Sequence, residues 1–184
     1  PRPIAWVSTR SMEGTNNLAP FSFFNIVSRK PPMLAISFGP DHPGQKKDTL
    51  VNIRVTESFV VNIVTEALLE AMAITAAEWS PEIDEFECAG LTPVSACKVK
   101  APRVAESPVS FECSLRHMLS LGTDTLVIGE VLWVHVADEL LEDGRIDPQK
   151  LKPMGRLAGS FYAYVREFLH HPTPPAPAQA NRKA

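Results

Sequence analysis

Residues 8–23 read STRSMEGTNNLAPFSF, and the fold expected for the whole chain is built around this stretch. Apolar residues 4–7 run into Ser8, and a second extended, apolar run covers residues 18–24. Between the two runs, Gly14 and the asparagines that follow it tolerate the positive φ angles of a tight turn. The stretch therefore predicts a β-hairpin near the beginning of the sequence.

Small hydrogen-bonding side chains are unusually dense in this hairpin. They are Ser8, Thr9, Ser11, Thr15, Asn16, Asn17 and Ser22. Pro20 has no N–H group, which argues against a regular central strand at that position. An interrupted ladder leaves neighbouring N–H groups available to a ligand, whereas the plainer alternative is a polar hairpin at the surface of a β domain. The hairpin alone favours neither interpretation.

The composition indicates one globular domain in a reducing compartment. The chain has 184 residues, of which 45% are hydrophobic, and its formal net charge is −3, so it lacks the basic excess typical of nucleic-acid binding. No apolar run reaches the roughly 18 residues of a membrane-spanning helix, and no signal peptide is expected at the start. Cys88, Cys97 and Cys113 are odd in number and form no CxxC motif. We therefore expect a cytoplasmic protein without disulfides, a metal site or a membrane segment.

The remaining pattern predicts many short strands and few helices, which is typical of an antiparallel β-barrel. Strands are expected over residues 33–38, 59–64, 95–99, 109–120 and 126–137, the last two as a long hairpin. A short amphipathic helix is expected to begin at Lys47-Asp48-Thr49, with Asp48 or Thr49 as its N-cap, and to bury Leu50 and Ile53. Residues 67–79 predict the longest helix. Residues 172–184 are rich in proline and alanine and predict a solvated tail after a domain of residues 1–171.

The beginning of the short helix is a candidate phosphate site. A helix N-terminus presents unpaired N–H groups and a positive dipole end, and Lys47 adds a charge beside it. Thr49 lies in the first turn, and the Ser8 and Thr9 hydroxyls are candidate donors from the hairpin. Asp48 is expected to face away from a phosphate. The alternative is an ordinary capped surface helix.

Other chemistries find little support in the sequence. GxGxxG, Walker and GxSxG patterns are all missing. His170 and His171 are adjacent, so on an extended chain they point to opposite sides and are better explained as a solvated end. His117 and His135 are expected in or beside the core, and Cys113 is expected to act as a small hydrophobic residue.

Several motifs in order resemble the flavin reductase-like domain family. They are PRPIAWVST at residues 1–9, GTNNLAPFSFF at 14–24, PP at 31–32, KDTLVNI at 47–53, FVVN at 59–62 and PMGRLAGSFY at 153–162. The resemblance extends over residues 1–168. It implies a mostly β protein, an antiparallel FMN-binding split β-barrel with a few flanking helices.

The resemblance also implies a homodimer with FMN near the subunit interface and NADH or NADPH as the reductant. Carried over residue by residue, it implies phosphate contacts at Ser8, Thr9, Lys47, Asp48 and Thr49. It implies contacts along the ribityl chain and the ring edge at Asn17, Ala19 and Ser22, with Ser37 on the neighbouring strand and with Arg156 and Tyr162 as further candidates. Hydride transfer to a flavin needs no side-chain acid or base, so no catalytic residue is expected.

The favoured function is therefore an NAD(P)H-dependent flavin reductase. One alternative is a different enzyme on the same barrel, such as an oxidase or the component that supplies flavin to a partner oxygenase. The other is a flavin carrier without catalysis, because a fold does not fix a function.

Overall fold

Short strands dominate the computed structural model of the chain, which describes residues 1–40 and 47–172. The strands are β1 (Arg2–Pro3), β2 (Ala5–Arg10), β3 (Asn16–Phe21), β4 (Phe24–Arg29), β5 (Pro32–Phe38), β6 (Ser58–Ile63), β7 (Pro93–Val94), β8 (Arg103–Val104), β9 (Val109–Leu121), β10 (Asp124–Val136), β11 (Leu141–Glu142), β12 (Arg145–Ile146), β13 (Met154–Arg156) and β14 (Tyr162–Tyr164). The α-helices are α1 (Asp48–Thr56), α2 (Leu69–Ile74), α3 (Glu85–Cys88) and α4 (Pro148–Leu151). Single 3-10 turns cover Glu66–Leu68 and Asp138–Leu140.

The predicted opening hairpin is confirmed as β2 and β3. The strands pair antiparallel, with Thr9 opposite Asn17, and Gly14 takes a φ of +98° in the turn between them. The second run is divided, because β3 ends at Phe21 and β4 begins at Phe24. Pro20 lies inside β3, but β3 is the edge strand of its sheet, and an edge tolerates a residue that cannot donate to the ladder.

A seven-stranded antiparallel sheet forms the body of the protein, in the order β3-β2-β6-β9-β10-β5-β4. Its curvature brings the two ends together, since the rings of Phe21 on β3 and Phe38 on β5 lie 4.4 Å apart between centroids. Buried apolar side chains from both ends share one cluster inside the sheet. The predicted mostly β, antiparallel barrel architecture is confirmed, and no helix of the described residues is long and apolar enough to cross a membrane.

A second apolar layer covers the outer face of β2. Successive side chains of a strand point to opposite faces, so Ala5 and Val7 enter the barrel interior while Trp6 packs outward. Trp6 is fully buried there against α2 and α3, and its indole N–H donates to the Thr75 hydroxyl at 2.9 Å. Strand β2 is therefore buried on both faces and fixes the position of β3 beside it.

The two predicted helices differ in outcome. Helix α1 buries Leu50 and Ile53 as expected, but its N-cap is Lys47, which makes no side-chain capping bond, so the predicted caps were wrong. The helix predicted over residues 67–79 was also wrong, because only a 3-10 turn and the six residues of α2 form. The Thr75 hydroxyl donates back to the Met72 carbonyl, and residues 76–79 are exposed, so no packing extends the helix.

The strand predicted over residues 95–99 was wrong as well. The only pairing in that part of the chain is the two-residue β7 with β8. The N–H groups of Cys97 and Lys98 donate instead to the Glu112 carboxylate, at 2.7 and 2.5 Å. By contrast, β9 and β10 confirm the long hairpin, with Gly122 at a φ of +59° in its turn.

The positions predicted for the histidines and for Cys113 are confirmed in part. His117 was expected in or beside the core but is exposed on β9. His135 does lie beside the core, with its Nε2 2.5 Å from Glu112 Oε1, and Cys113 is buried as expected. Residues 170–172 are exposed, while residues 41–46 and most of the predicted tail, residues 173–184, lie outside the described residues.

Candidate functional site

Two adjoining cavities open along the edge strand β3. The larger, of about 300 Å³, is bordered by Arg2 and Arg156 and is called here the arginine cavity. The smaller, of about 100 Å³, lies at the beginning of α1 and is called the helix cavity. Pro20, Phe21 and Ala76 line both, so the two form one continuous groove.

The helix cavity brings together five of the residues predicted from the sequence. They are Asn17, Ala19, Lys47, Asp48 and Thr49. Strand β3 supplies one wall, the N-terminus of α1 a second, and residues 75–79 a third. Long-range packing creates this grouping, because β3 and α1 are separated by the whole of β4, β5 and the loop after them.

The charges around the helix cavity include more acid than the sequence prediction assumed. Lys47 shares the lining with Asp48, Glu78 and Glu85. Glu85 is buried and committed to β3, since its Oε1 accepts from the Asn17 amide at 2.8 Å and its Oε2 from the Leu18 N–H at 3.0 Å. Burial raises the pKa of Glu85 above its ordinary value, although these hydrogen bonds oppose the shift.

A buried hydrogen-bond network occupies the hydroxyl groups that were predicted as ligand donors. Asn17 Oδ1 accepts from the Thr49 hydroxyl at 2.7 Å and from the Thr9 hydroxyl at 3.2 Å, and the Asn52 amide donates to Thr9 Oγ1 at 3.0 Å. These bonds tie α1 to β2 and β3. Thr49, only 1% exposed, therefore acts first as a clamp between the helix and the sheet.

Ser8 and Thr9 lie in neither cavity wall. Ser8 is fully buried, donates to the Pro102 carbonyl at 2.5 Å and accepts from the Asn62 amide at 3.1 Å. Their contact with a phosphate stays a prediction, and the structure gives both hydroxyls an internal partner. Ser37 is also outside the groove, where its hydroxyl donates to Asp124 at 3.3 Å.

The arginine cavity brings together Ser22, Arg156 and Tyr162, again from the predicted set. Strands β1, β13 and β14 form a small sheet in which Arg2 lies opposite Arg156, and Arg156 lies opposite Tyr162. Arg2 Nε donates to the Ser22 hydroxyl at 3.2 Å, which joins this sheet to the end of β3. Apolar side chains, among them Ile4, line the opposite wall.

Several contributors to the groove were missed by the sequence reasoning, among them Arg2, Met72, Ala76 and Glu85. Arg2 belonged to the first quoted motif, but its proximity to residue 156 depends on pairing between the two ends of the chain. Met72 and Ala76 come from the end of α2, which the wrong helix boundary concealed. Glu85 was missed too, and no local signal marks it, because its function is to bond a strand 67 residues away.

The outward edge of β3 differs from the expected row of free donors. The Leu18 N–H is taken by Glu85, and Pro20 has none. The titratable residues lining the described part of the arginine cavity are Arg2, Arg156 and Tyr162, so no carboxylate or imidazole is placed there as a proton carrier. The arginine cavity is therefore suited to holding a ligand that brings its own chemistry.

The comparisons with known proteins agree with this geometry. The model of the flavin reductase like domain matches residues 1–155. An uncharacterized protein of Aquifex aeolicus is 46% identical over 163 residues, which is 88% of this chain and 83% of that protein. Nitrilotriacetate monooxygenase component B from Bacillus cereus superposes with a TM-score of 0.90 at 39% identity, covering 93% of this chain and 87% of its own. Flavoredoxin of Desulfovibrio vulgaris (Miyazaki F) gives 0.83 at 28% identity, covering 93% and 90%.

Proposed function

The chain belongs to the flavin reductase-like domain family and has its split-barrel fold, and on this premise we propose that it binds FMN and reduces it with NADH or NADPH. The family and its structural neighbours support a flavin-related oxidoreductase activity. The reaction we propose is that of a reductase, in which hydride passes from the nicotinamide to the flavin and then to free flavin, oxygen or another acceptor.

The observation that carries this proposal is the continuous groove along β3. One end offers Lys47 and the N-terminus of the nine-residue helix α1, which suit a phosphate. The shared middle wall of Pro20, Phe21 and Ala76 is apolar and suits the face of a flat ring. A ligand with a phosphate at one end and a planar ring at the other fits such a groove.

The acidic residues of the helix cavity limit how the phosphate would bind. Glu85 is held by Asn17 and the Leu18 N–H, so its carboxylate is directed at β3. Thr49 is committed to Asn17, so its hydroxyl is not a free donor. We therefore assign the phosphate contact chiefly to Lys47 and to the backbone N–H groups at the beginning of α1.

Bound FMN would supply the ring that accepts the hydride. The protein's contribution would be placement: the shared wall would support one face of the ring and exclude water from it. The edge strand would hold the ring's polar rim beside the backbone of β3. No residue is assigned as a catalytic acid or base.

The proposal extends to assembly and compartment. We propose a homodimer with the flavin near the seam, a domain of residues 1–171 followed by a tail at 172–184, and a cytoplasmic location. The free state of all three cysteines supports a reducing compartment. A second candidate, delivery of reduced flavin to an oxygenase, is favoured by the similarity to a monooxygenase component B.

Purified protein tests the proposal directly. A yellow sample with the absorbance bands of oxidised flavin, or tight FMN binding by the colourless protein, is expected. Anaerobic mixing with NADH or NADPH should then bleach the flavin, and added FMN should sustain turnover. Tight flavin without bleaching by either nucleotide would identify a carrier, and failure to bind any flavin would refute the proposal.

A further inference from the structure

Two arginines lie directly opposite each other on neighbouring strands of the small sheet that borders the groove. Arg2 of β1 and Arg156 of β13 are direct partners in the antiparallel register, which places their Cα atoms roughly 4.5–5.5 Å apart. Like charges directly opposite each other on a sheet are destabilising. A pairing of this kind calls for a compensating anion.

Among the residues that the structure describes, the partners of both arginines are neutral. Arg2 donates to the Ser22 hydroxyl at 3.2 Å and to the Leu157 carbonyl at 2.9 Å. Arg156 donates to the Tyr162 hydroxyl and to the Gly159 carbonyl. Neither takes part in a salt bridge with another residue of the described ranges, 1–40 and 47–172.

The same bonds fix the orientation of both guanidinium groups but leave some of their N–H donors unused. Each group has five N–H donors, of which the contacts above use two. Fixed forks with remaining donors are well suited to bidentate binding of phosphate or carboxylate, because little side-chain freedom is lost on binding.

The neighbouring cavities have opposite charge. Acidic side chains line the helix cavity together with Lys47, whereas the arginine cavity has two cations and, within the part of the chain that the structure describes, no acid. Aromatic faces accompany the cations: the guanidinium carbon of Arg2 lies 5.5 Å from the centroid of the Phe23 ring, which is 60% exposed, and that of Arg156 lies 4.6 Å from the Tyr162 ring.

We propose that Arg2 and Arg156 together form an anion-binding subsite for the second substrate, the molecule that exchanges electrons with the flavin. The group bound is a phosphate or a carboxylate, held between the two guanidinium forks, with its planar remainder over the face of the flavin ring that the shared wall leaves open. The inference rests on the proposed function, and it makes both arginines specificity-determining residues without a role in proton transfer.

Thermal unfolding with inorganic diphosphate as the probe tests the subsite without any activity. At a concentration about 100 times its Kd, diphosphate should raise the Tm of the wild-type protein by roughly 5 °C or more. Arg2→Gln and Arg156→Gln should each lose most of that shift. Arg145→Gln, which removes the same charge from the exposed hairpin β11–β12, should keep it.

Ligand titrations on the flavin-loaded protein identify the source of the anion. ADP-ribose represents the diphosphate of a nicotinamide nucleotide, and benzoate represents an aromatic carboxylate; binding is followed by the flavin spectrum. The ligand that belongs to the subsite should bind the wild type and weaken on the order of tenfold or more in both arginine variants. Arg2→Lys and Arg156→Lys, which keep the charge but lose the fork, should be intermediate.

The FMN affinity separates the failure of this inference from the failure of the proposed function. The resemblance offers Arg156 as a flavin contact, whereas this inference assigns Arg156 to the second substrate, so both arginine variants should bind FMN within about twofold of the wild type. If they instead weaken FMN strongly and leave riboflavin unchanged, the arginines hold the flavin's own phosphate, which overturns the subsite but keeps the flavoprotein. The subsite inference is also overturned if the variants bind diphosphate, ADP-ribose and benzoate as well as the wild type does. A wild type that binds no flavin refutes the proposed function itself.

Discussion

Glu112 is a fully buried carboxylate whose oxygens are engaged by three groups. Its Oε1 accepts from the Cys97 N–H at 2.7 Å and lies 2.5 Å from His135 Nε2, while its Oε2 accepts from the Lys98 N–H at 2.5 Å. Burial alone would raise the pKa of Glu112, but the hydrogen bonds from Cys97, His135 and Lys98 outweigh it and lower that pKa. A single side chain thus fastens an irregular segment to β9 and β10.

Replacing Glu112 should therefore cost stability in a pH-dependent way. Glu112→Gln should lower the free energy of unfolding by roughly 2–4 kcal/mol at pH 7, since a partly buried imidazole and two N–H groups lose their anion. Because the folded pKa is depressed, this stabilisation is complete above the unfolded pKa of about 4.3 and is lost as the pH falls through the folded pKa. Urea unfolding of wild type and variant from pH 7 to pH 3 measures the difference.

Glu106→Gln is the matched control for that experiment. Glu106 also accepts a backbone N–H, from Thr92 at 3.1 Å, but it is exposed. Its replacement should cost under roughly 1.5 kcal/mol. Equal losses for the two variants would mean that Glu112 is not the anchor described here.

Lys47 and Thr49 should behave differently although they are neighbours in sequence. Lys47→Ala should weaken FMN on the order of 10- to 100-fold and riboflavin much less, because a charge-assisted bond to phosphate is worth about 1.5–3 kcal/mol. Thr49→Ala should weaken both ligands alike, since it releases α1 from Asn17. Flavin fluorescence titrations measure all four affinities. A Lys47 variant that weakens FMN and riboflavin equally would place the phosphate elsewhere.

At the scale of secondary-structure elements, the local sequence pattern predicts an element correctly where that element is stabilised by residues close to it in sequence. The hairpins β2–β3 and β9–β10 were predicted because alternation and turn residues lie within one stretch. The helix predicted over 67–79 was wrong because Thr75, near the point where α2 ends, accepts a hydrogen bond from Trp6, which is 69 residues away. The strand at 95–99 failed because Glu112 competes for its N–H groups.

The candidate site followed the same rule. Lys47, Asp48 and Thr49 were predicted from a helix beginning that the sequence makes visible, and they do line the groove. The sequence does not predict which residue each of these side chains contacts. The burial of Thr49 and the pairing of Arg2 with Arg156 both depend on contacts between distant elements.

The tail should be dispensable, whereas the strand before it should not. Deleting residues 172–184 should leave the Tm and the flavin content nearly unchanged, because a segment rich in proline and alanine builds no core. Deleting residues 162–184 should instead lower the Tm, because it removes β14, which pairs with β13. Thermal unfolding and flavin absorbance measure both. A large loss in the shorter deletion would show that the tail docks on the body or on a partner subunit.

At the scale of the whole molecule, the large aromatic residues divide into a buried group and an exposed group. Trp6, Phe21 and Phe38 are buried, whereas Phe23, Trp133, Phe161 and Phe168 are exposed. Ile26 and Val27 of the edge strand β4 are also exposed, at 67% and 53%. Apolar side chains along an open sheet edge are typical of an interface.

We expect this surface to be covered in a twofold dimer. Sedimentation at micromolar concentration should give about twice the chain mass, and dilution into monomer should release FMN. Ile26→Asp should shift the equilibrium toward monomer, whereas Met12→Asp, at the exposed β2–β3 turn, should not. A stable monomer that keeps its flavin would move the whole binding site into one chain.

The pairing of β1 with β13 has a consequence for the order in which the protein is made. The last strand of the seven-stranded sheet ends at Val136, so every barrel strand has been synthesised before Arg156 and Tyr162 leave the ribosome. Contacts between such distant parts of a chain are the slowest to form. The arginine cavity is then the last part of the groove to be assembled, so a nascent chain completes its barrel before it completes the proposed anion subsite.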